Sequence, residues 1–576
     1  MYKLFCKIFF IANLLWISFS FAQNNDLSSI NEINDLFLEK GEIYFMFYNS
    51  SKIDLNTLTR IISIDKVEEN KIYAYANKKE FLRFQKLNYS YKILQHPGTL
   101  INPRMINYED FKKSKSWDFY PTYNAYDSIM QKFQSDYPNL CKIENIGTLP
   151  SNRKLLVAKI SDSVNISENE PQFLYTSTMH GDETVGYILM LRYIDYLLSN
   201  YGNNPRITNL VNNIEIWINP LANPDGTYAG GNHTVNGATR NNANHIDFNR
   251  NFPDPEDGPN PDGEPWQYET IFFMDFADSN NFVMSANLHG GAEVANYPWD
   301  TWAKLHADDN WWEFVSREYA DTVHNFSPSG YLMDLDSGIT NGYQWYSISG
   351  GRQDYMNYFH QCREFTLELS NTKLPQANQL PNYWNWNYRS LLNYMEEVLF
   401  GIKGVVTDSI TGKPLKAKIF ISSHDIDSSH IYSSLPKGNY HRPIYAGTYS
   451  LTFSASGYKT KTIHNITIAN RSTIVQDVQL APTNIGINEN SIENSVKIFP
   501  NPTNGKLTIF ISDLKDDFIE IDLLNLQSQY IYSEKIKNKS NEYFSHSLDL
   551  SLYSKGIYIL KITNNSSVIS KKIIIQ

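Results

Sequence analysis

The run Phe173-Leu-Tyr-Thr-Ser-Thr-Met-His-Gly-Asp-Glu183 decides the fold. Phe173–Ser177 reads as a short buried strand, and the apolar spacing over Thr184–Leu198 reads as an amphipathic helix. Strand passes to helix through His180-Gly-Asp-Glu183, and strand ends of α/β sheets are where ligand sites gather. Working outward, Asn124–Ser135 reads as a helix, Glu215–Ile218 and Phe365–Leu369 as strands, and Trp384–Leu399 as a final helix. Strands interleaved with helices across Tyr120–Phe400 predict one large α/β domain with a mixed sheet.

The flanks differ in texture. In residues 41–95, Gly41–Tyr48 and Ile72–Ala76 read as strands, and Ile53–Ile62 and Lys79–Leu87 as helices, which predicts a small α/β domain. The loop Pro97–Ser116 follows and carries Lys112, Lys113 and Lys115. After Gly401 come short alternating strands and turn signals such as Thr411-Gly-Lys-Pro414, a small all-β sandwich pattern. Residues 496–576 are again all β. Met1–Ala22 has the charged, apolar, small-residue order of a secretory signal peptide. The expected division is 1–22 signal peptide, 23–116 small domain and linker, 117–400 large domain, 401–482 first sandwich, 483–495 linker and 496–576 second sandwich.

Composition narrows the function. With 50 Lys and Arg against 61 Asp and Glu, the net charge is −11. That argues against non-specific nucleic-acid binding, which rests on cations neutralising phosphates. Three cysteines make neither a disulfide scaffold nor a Cys-based zinc module. Once the leader with Cys6 is removed, Cys141 and Cys362 remain, and an oxidising compartment permits them to pair.

P-loop, G-x-S-x-G and H-E-x-x-H signatures are absent from the sequence. His180 and Glu183, three apart, can converge on one side of a turn, and two His with one Glu make a catalytic zinc set. A lone H-x-x-E is weak, since a capping Glu beside a surface His gives the same pattern. His289, where Ser285-Ala-Asn-Leu-His ends at Gly290-Gly291, is the candidate third ligand. Arg240 and Arg250 flank a loop rich in Asn, and guanidinium forks bind carboxylates in bidentate fashion. Asp247 is placed to support a metal-bound His from behind. His233 and His245 read as surface residues.

In order and local context, His180-x-x-Glu183, Arg240, Asn249-Arg250, His289, Tyr346 and Glu368 resemble the zinc metallocarboxypeptidases, and within them the carboxypeptidase N/E/D branch. The matching stretches are Asn219–Gly226, Asp247–Pro253, Asn287–Gly291, Ser349–Asp354 and Phe365–Leu369. The resemblance implies one Zn2+ held by His180, Glu183 and His289, with Glu368 as general base and Arg240 stabilising the oxyanion. It implies Asn249 and Arg250 on the terminal carboxylate of a peptide or protein substrate, with Tyr346 closing over the terminal residue. Asp300 and Gln353 match positions lining the terminal side-chain pocket in the basic-specific branch, which implies a preference for C-terminal Lys or Arg. Two residues depart from the pattern. Asp182 stands where the branch usually has Asn, and Arg352 places a cation able to neutralise Asp300.

Residues 402–480 resemble the transthyretin-like sandwich of this branch. Residues 41–95 resemble a carboxypeptidase activation domain with a Lys-rich cleavable tether, or an accessory domain that stays attached. Residues 496–576, from Phe499-Pro-Asn-Pro502 onward, resemble the C-terminal sorting domain of type IX secretion. That last resemblance implies partnership with the secretion machinery and export across a Gram-negative outer membrane to the surface or medium. The expected protein is a secreted zinc metallocarboxypeptidase. The alternatives are a zinc amidohydrolase acting on cell-wall peptides and a non-catalytic surface-binding protein.

Overall fold

The computed structural model describes residues 27–49, 53–114, 116–483, 496–512, 518–537, 543–563 and 568–576. The expected signal peptide and residues 484–495 of the expected linker lie outside them.

The small domain is an antiparallel sheet of β1 (Glu42–Tyr48), β2 (Ser63–Glu68), β3 (Lys71–Asn77) and β4 (Tyr91–Leu94), in the order β2-β3-β1-β4. Alternation along β1 buries Ile43, Phe45 and Phe47 together. Helices α1 (Leu27–Lys40) and α2 (Lys78–Gln85) accompany the sheet, and Asn77 and Glu80 close a capping box on α2. The expected helix over Ile53–Ile62 is one turn, Leu55–Leu58. Its last residues run towards β2 instead, because Ile62 and Ile64 alternate into the core at a strand period.

The large domain carries an eight-stranded sheet. Its strands are β5 (Cys141–Thr148), β6 (Lys154–Ile160), β7 (Gln172–Ser177), β8 (Glu215–Asn219), β9 (Phe282–His289), β10 (Glu293–Tyr297), β11 (Ile339–Asn341) and β12 (Arg363–Leu369). The order is β11-β10-β12-β9-β7-β8-β6-β5. The four central strands β12, β9, β7 and β8 run parallel, so their carboxyl ends share one edge. Side chains alternate between the two faces: Phe173 and Tyr175 join one core cluster and Leu174 the other. Helices α3 (Tyr123–Asp136), α4 (Val185–Asn200) and α5 (Leu380–Glu396) place apolar residues in the larger cluster.

Cys141 and Cys362 are both buried and free. Cys141 sits in one core cluster and Cys362 in the other, across the sheet, so the pairing left open by the sequence does not form.

Residues 401–482 form two small sheets around Ile402, Val406, Ile419, Tyr440, Leu451 and Phe453. A buried ionic cluster ties them to the large domain. Asp308 accepts from Arg363 at 2.8 Å and from both terminal nitrogens of Arg442 at 2.8 and 2.9 Å, and Arg442 also reaches Asp425 at 2.8 Å. Removing one partner of such a cluster strands the others in a dry site. Asp308→Ala is therefore expected to cost about 3–5 kcal/mol, read as an earlier denaturant midpoint.

The C-terminal unit is all β, with a three-stranded sheet (Val496–Phe499, Lys506–Ser512, Tyr543–Asp549) and a four-stranded one. Ile509, Ile519, Ile521, Leu523, Leu560 and Ile573 lie in its core. Among the described residues no helix is long and apolar enough to cross a membrane.

Candidate active site

The site lies at the shared edge of the parallel strands. His180 and Glu183 occupy the turn after β7, and His289 ends β9. Register sets His289 directly beside Glu368 of β12. Their ligand atoms converge: His180 Nδ1 lies 2.9 Å from Glu183 Oε1 and 3.1 Å from His289 Nδ1, and His289 Nδ1 lies 2.9 Å from Glu183 Oε2. All three side chains are buried. The far nitrogens are held as well, His180 Nε2 3.1 Å from Asp247 Oδ1 and His289 Nε2 2.8 Å from the Asn287 carboxamide. Each imidazole thus turns Nδ1 toward its neighbours while its other nitrogen is oriented from behind, the usual arrangement of metal-binding histidines. Burial opposes ionisation of Glu183, but the charges of His180 and Lys373 outweigh it and hold its carboxyl well below the ordinary range.

Glu368, Thr366 and Glu364 share one face of β12. Glu368 is half-buried, and its Oε2 has no hydrogen-bond partner among the described residues. Burial first, then the Glu183 charge, pushes its carboxyl well up. Arg240 donates through Nε to Asp247 Oδ2 at 3.1 Å and through Nη1 to Glu183 Oε1 at 3.2 Å. Asn249, Arg250 and Tyr346 line the same cavity, and Arg250 Nε is buried without a partner.

The cavity also reaches Asp300, which is buried and accepts from Asn296 Nδ2 and Gln353 Nε2, each at 3.0 Å. Asn296 Oδ1 and Gln353 Oε1 are buried without hydrogen-bond partners among the described residues. Burial raises the Asp300 carboxyl to about 6. Gly342 is required beside it, since a Cβ there would sit 1.8 Å from Asp300 Oδ1. Arg352 does not neutralise Asp300. It pairs with Glu364 at 2.7 Å, donates to Thr176, and stacks over Phe273.

The small domain closes over this region. Ser63 donates to Asp247 at 2.7 Å, Tyr75 to Asp182 at 2.7 Å, and Asp65 pairs with Lys373 at 2.7 Å. Glu42 accepts from the backbone N–H groups of Arg240 and Asn241 at 2.6 and 2.9 Å, fixing the loop that presents Arg240. Ile64 and Asp65 form part of the cavity wall, and Tyr346 packs against the small domain's core.

Residues 126–390 match the zinc carboxypeptidase family model. The catalytic chain of carboxypeptidase N from Mus musculus is 35% identical over 400 residues, spanning 62% of this chain and 86% of that one. Carboxypeptidase M from the same organism is 34% identical over 348 residues, 58% of this chain and 77% of that one. The chain belongs to the zinc carboxypeptidase family. Mouse carboxypeptidase D is 35% identical over 413 residues, but the match spans 69% of this chain and 29% of that longer protein. Residues 401–481 match a carboxypeptidase regulatory-like domain, and residues 497–576 match a secretion system C-terminal sorting domain.

The donor set suits the family's metal. His180, Glu183 and His289 each offer one ligand atom, all within 4.8 Å of one another, and two imidazoles with a carboxylate are a zinc set that leaves a position open. The structure brings every residue singled out in the sequence to this cavity or directly behind it. His233 and His245 are exposed, as expected. Four participants were missed: Lys373, Asn287, Asn296 and the acceptor Asp65. Asn287 was within reach, because a residue two before a ligand on a strand shares its face. Lys373 lies five residues past Glu368, beyond the strand, where periodicity is silent.

Proposed function

We propose that the chain is an exported carboxypeptidase that removes C-terminal Lys or Arg from peptides or proteins. The observation that carries this reading is the floor of the cavity. A buried Asp300 carboxylate, flanked by the unpartnered acceptors Asn296 Oδ1 and Gln353 Oε1, faces the same space as the His180–Glu183–His289 cluster. A cation with several donors satisfies Asp300 and Asn296 Oδ1, which both line the cavity, whereas an apolar terminal residue leaves them buried and unpaired. Zinc, when bound, supplies Lewis acidity toward the scissile carbonyl and toward water. Glu368, with an unpartnered oxygen beside His289, accepts the water proton and delivers it to the leaving amine. Arg240 stabilises the charge that develops on the carbonyl oxygen. Asn249 and Arg250 hold the free terminal carboxylate, which confines cleavage to chain ends, and Tyr346 closes over the terminal residue. A cell-wall amidohydrolase has no use for that carboxylate clamp, and a non-catalytic binding protein has none for an intact ligand set with its base.

The small domain acts as a closure. With it in place the cavity measures about 60 Å³, against ~300–1,000 Å³ for ordinary ligand sites. Lys112 and Lys113 stand exposed in the connecting segment, within reach of a processing protease. The sorting-domain match supports export through type IX secretion. The test is a zinc-loaded chain, intact and after limited proteolysis of this segment, offered peptides ending in Lys, Arg, Leu or Phe. Lys and Arg should be released fastest, with a rise on proteolysis. Equal release of Leu and Phe would remove the basic preference, and release of none would remove the enzyme reading.

A further inference from the structure

Lys373 is the buried cation of the site that the proposed reaction does not use. Its side chain is 4% exposed, and its ammonium makes three contacts: Glu183 Oε1 at 2.8 Å, Gly290 O at 3.0 Å and Asp65 Oδ1 at 2.7 Å. These use all three of its donors. Two of the partners belong to the large domain. The third is delivered by β2 of the small domain, where Tyr44 also donates to Asp65 at 2.9 Å. Lys373 cannot swing away with the small domain, because its carbonyl accepts from Thr184 N at 3.0 Å, next to Glu183. Gly291 leaves the space in which the pair meets, since a Cβ there would lie 2.8 Å from Lys373 Nζ and 3.1 Å from Asp65 Oδ1.

If substrate is to enter, Ile64 and Asp65 must leave the cavity wall. One ammonium donor then points into the cleft unpaired while Glu183 and Gly290 keep the other two, and a buried donor left without a partner is costly. The position relative to the reaction is set by Glu183. The carbonyl to be attacked approaches the His180–Glu183–His289 cluster and belongs to the residue preceding the one released. Lys373 touches Glu183 and Gly290, whereas Asp300 touches Asn296 and Gln353, so the two charges serve different residues of the substrate.

We infer that Lys373 forms a subsite for an acidic side chain on the residue preceding the released C-terminal one, with Asp65 occupying that subsite while the small domain is in place. The inference rests on the carboxypeptidase reading above. A Glu or Asp at that position replaces the Asp65 carboxylate, and the isosteric amide restores hydrogen bonding but not charge.

The test uses the full chain, zinc-loaded and cleaved by limited proteolysis in the Lys112–Lys113 segment so that the small domain can leave the cleft, carrying Asp65→Ala to vacate the subsite and Glu368→Gln so that binding is read without turnover. Two peptides are compared, identical but for Glu or Gln before a terminal Lys. The Glu peptide is expected to bind at least about 10-fold tighter. Adding Lys373→Gln should bring the ratio near one, and Lys373→Arg should keep most of it, which also guards against a glutamine variant that does not fold. With Glu368 restored, the preference should appear in KM rather than kcat. Equal affinity for both peptides in the Asp65→Ala, Glu368→Gln protein, or a preference that survives Lys373→Gln, overturns the inference while leaving terminal Lys release intact. Failure of the cleaved, zinc-loaded Asp65→Ala enzyme, with Glu368 restored, to release Lys from either peptide overturns the carboxypeptidase reading and this inference with it.

Discussion

Glu368→Gln is expected to lower kcat by about 10²–10⁴-fold while the zinc content stays at one per chain. The substitution removes the proposed proton acceptor and touches none of the three clustered ligand side chains. Among the described residues Glu368 enters no ion pair and its Oε2 has no hydrogen-bond partner. Burial and the neighbouring Glu183 push its carboxyl up. Single-turnover kinetics with metal analysis and an unfolding curve separate the outcomes. Near-normal kcat at matched zinc content would show that another group takes the proton.

The second large effect belongs to Asp300→Ala, which should cut kcat/KM for peptides ending in Lys or Arg by roughly 10²–10³-fold. A substrate cation paired with a buried carboxylate is worth about 3–5 kcal/mol on removal of one partner, and each 1.4 kcal/mol is tenfold. Peptides ending in Leu or Phe should be unchanged or improved, because the carboxylate that penalises them is gone. The pH dependence follows from the same group. Burial raises the Asp300 carboxyl to about 6, so it is ionised above that pH and progressively neutral below it. The advantage of Lys and Arg over apolar termini should hold at pH 7–8 and shrink as pH falls through about 6. Asp300→Ala should flatten that profile. A basic preference that persists unchanged at pH 5 in the wild type would place the discriminating charge elsewhere.

Much of the site was legible because it is carried by strand ends. A five-residue apolar run, a turn with two donors three apart, and a second apolar run stopping at Gly290-Gly291 place His180, Glu183 and His289 at one edge of a sheet once the strands lie parallel. Register then brings Glu368 beside His289, since β9 and β12 are neighbours in phase. The strand ends are local signals, with a period of two and a break, that a linear reading recovers; Glu368 was picked out only through the family resemblance, and its place beside His289 only by the register. The helix expected over Ile53–Ile62 is cut short. Only Leu55–Leu58 of that stretch is helical; Thr59–Ile62 turn toward β2, with Ile62 and Ile64 alternating into the core.

What the sequence by itself determined is the order of elements and the strand ends on which His180, His289 and Glu368 sit, because hydrophobic periodicity marks strands and their termini without knowledge of distant residues; the roles proposed for these side chains came from the family resemblance, not from periodicity. Tertiary packing alone decided the partners of the buried charges. Arg352 was free to neutralise Asp300 until the sheet put Glu364 2.7 Å from its guanidinium. Asp182, an added negative charge in the sequence, receives the Tyr75 hydroxyl from a domain more than a hundred residues away. Asp65 meets Lys373, and Cys141 and Cys362 end on opposite faces of the sheet. A buried ion takes whichever counter-charge the close-packed interior brings within about 3 Å, and that proximity arises from the docking of whole surfaces, which leaves no period in the chain to read.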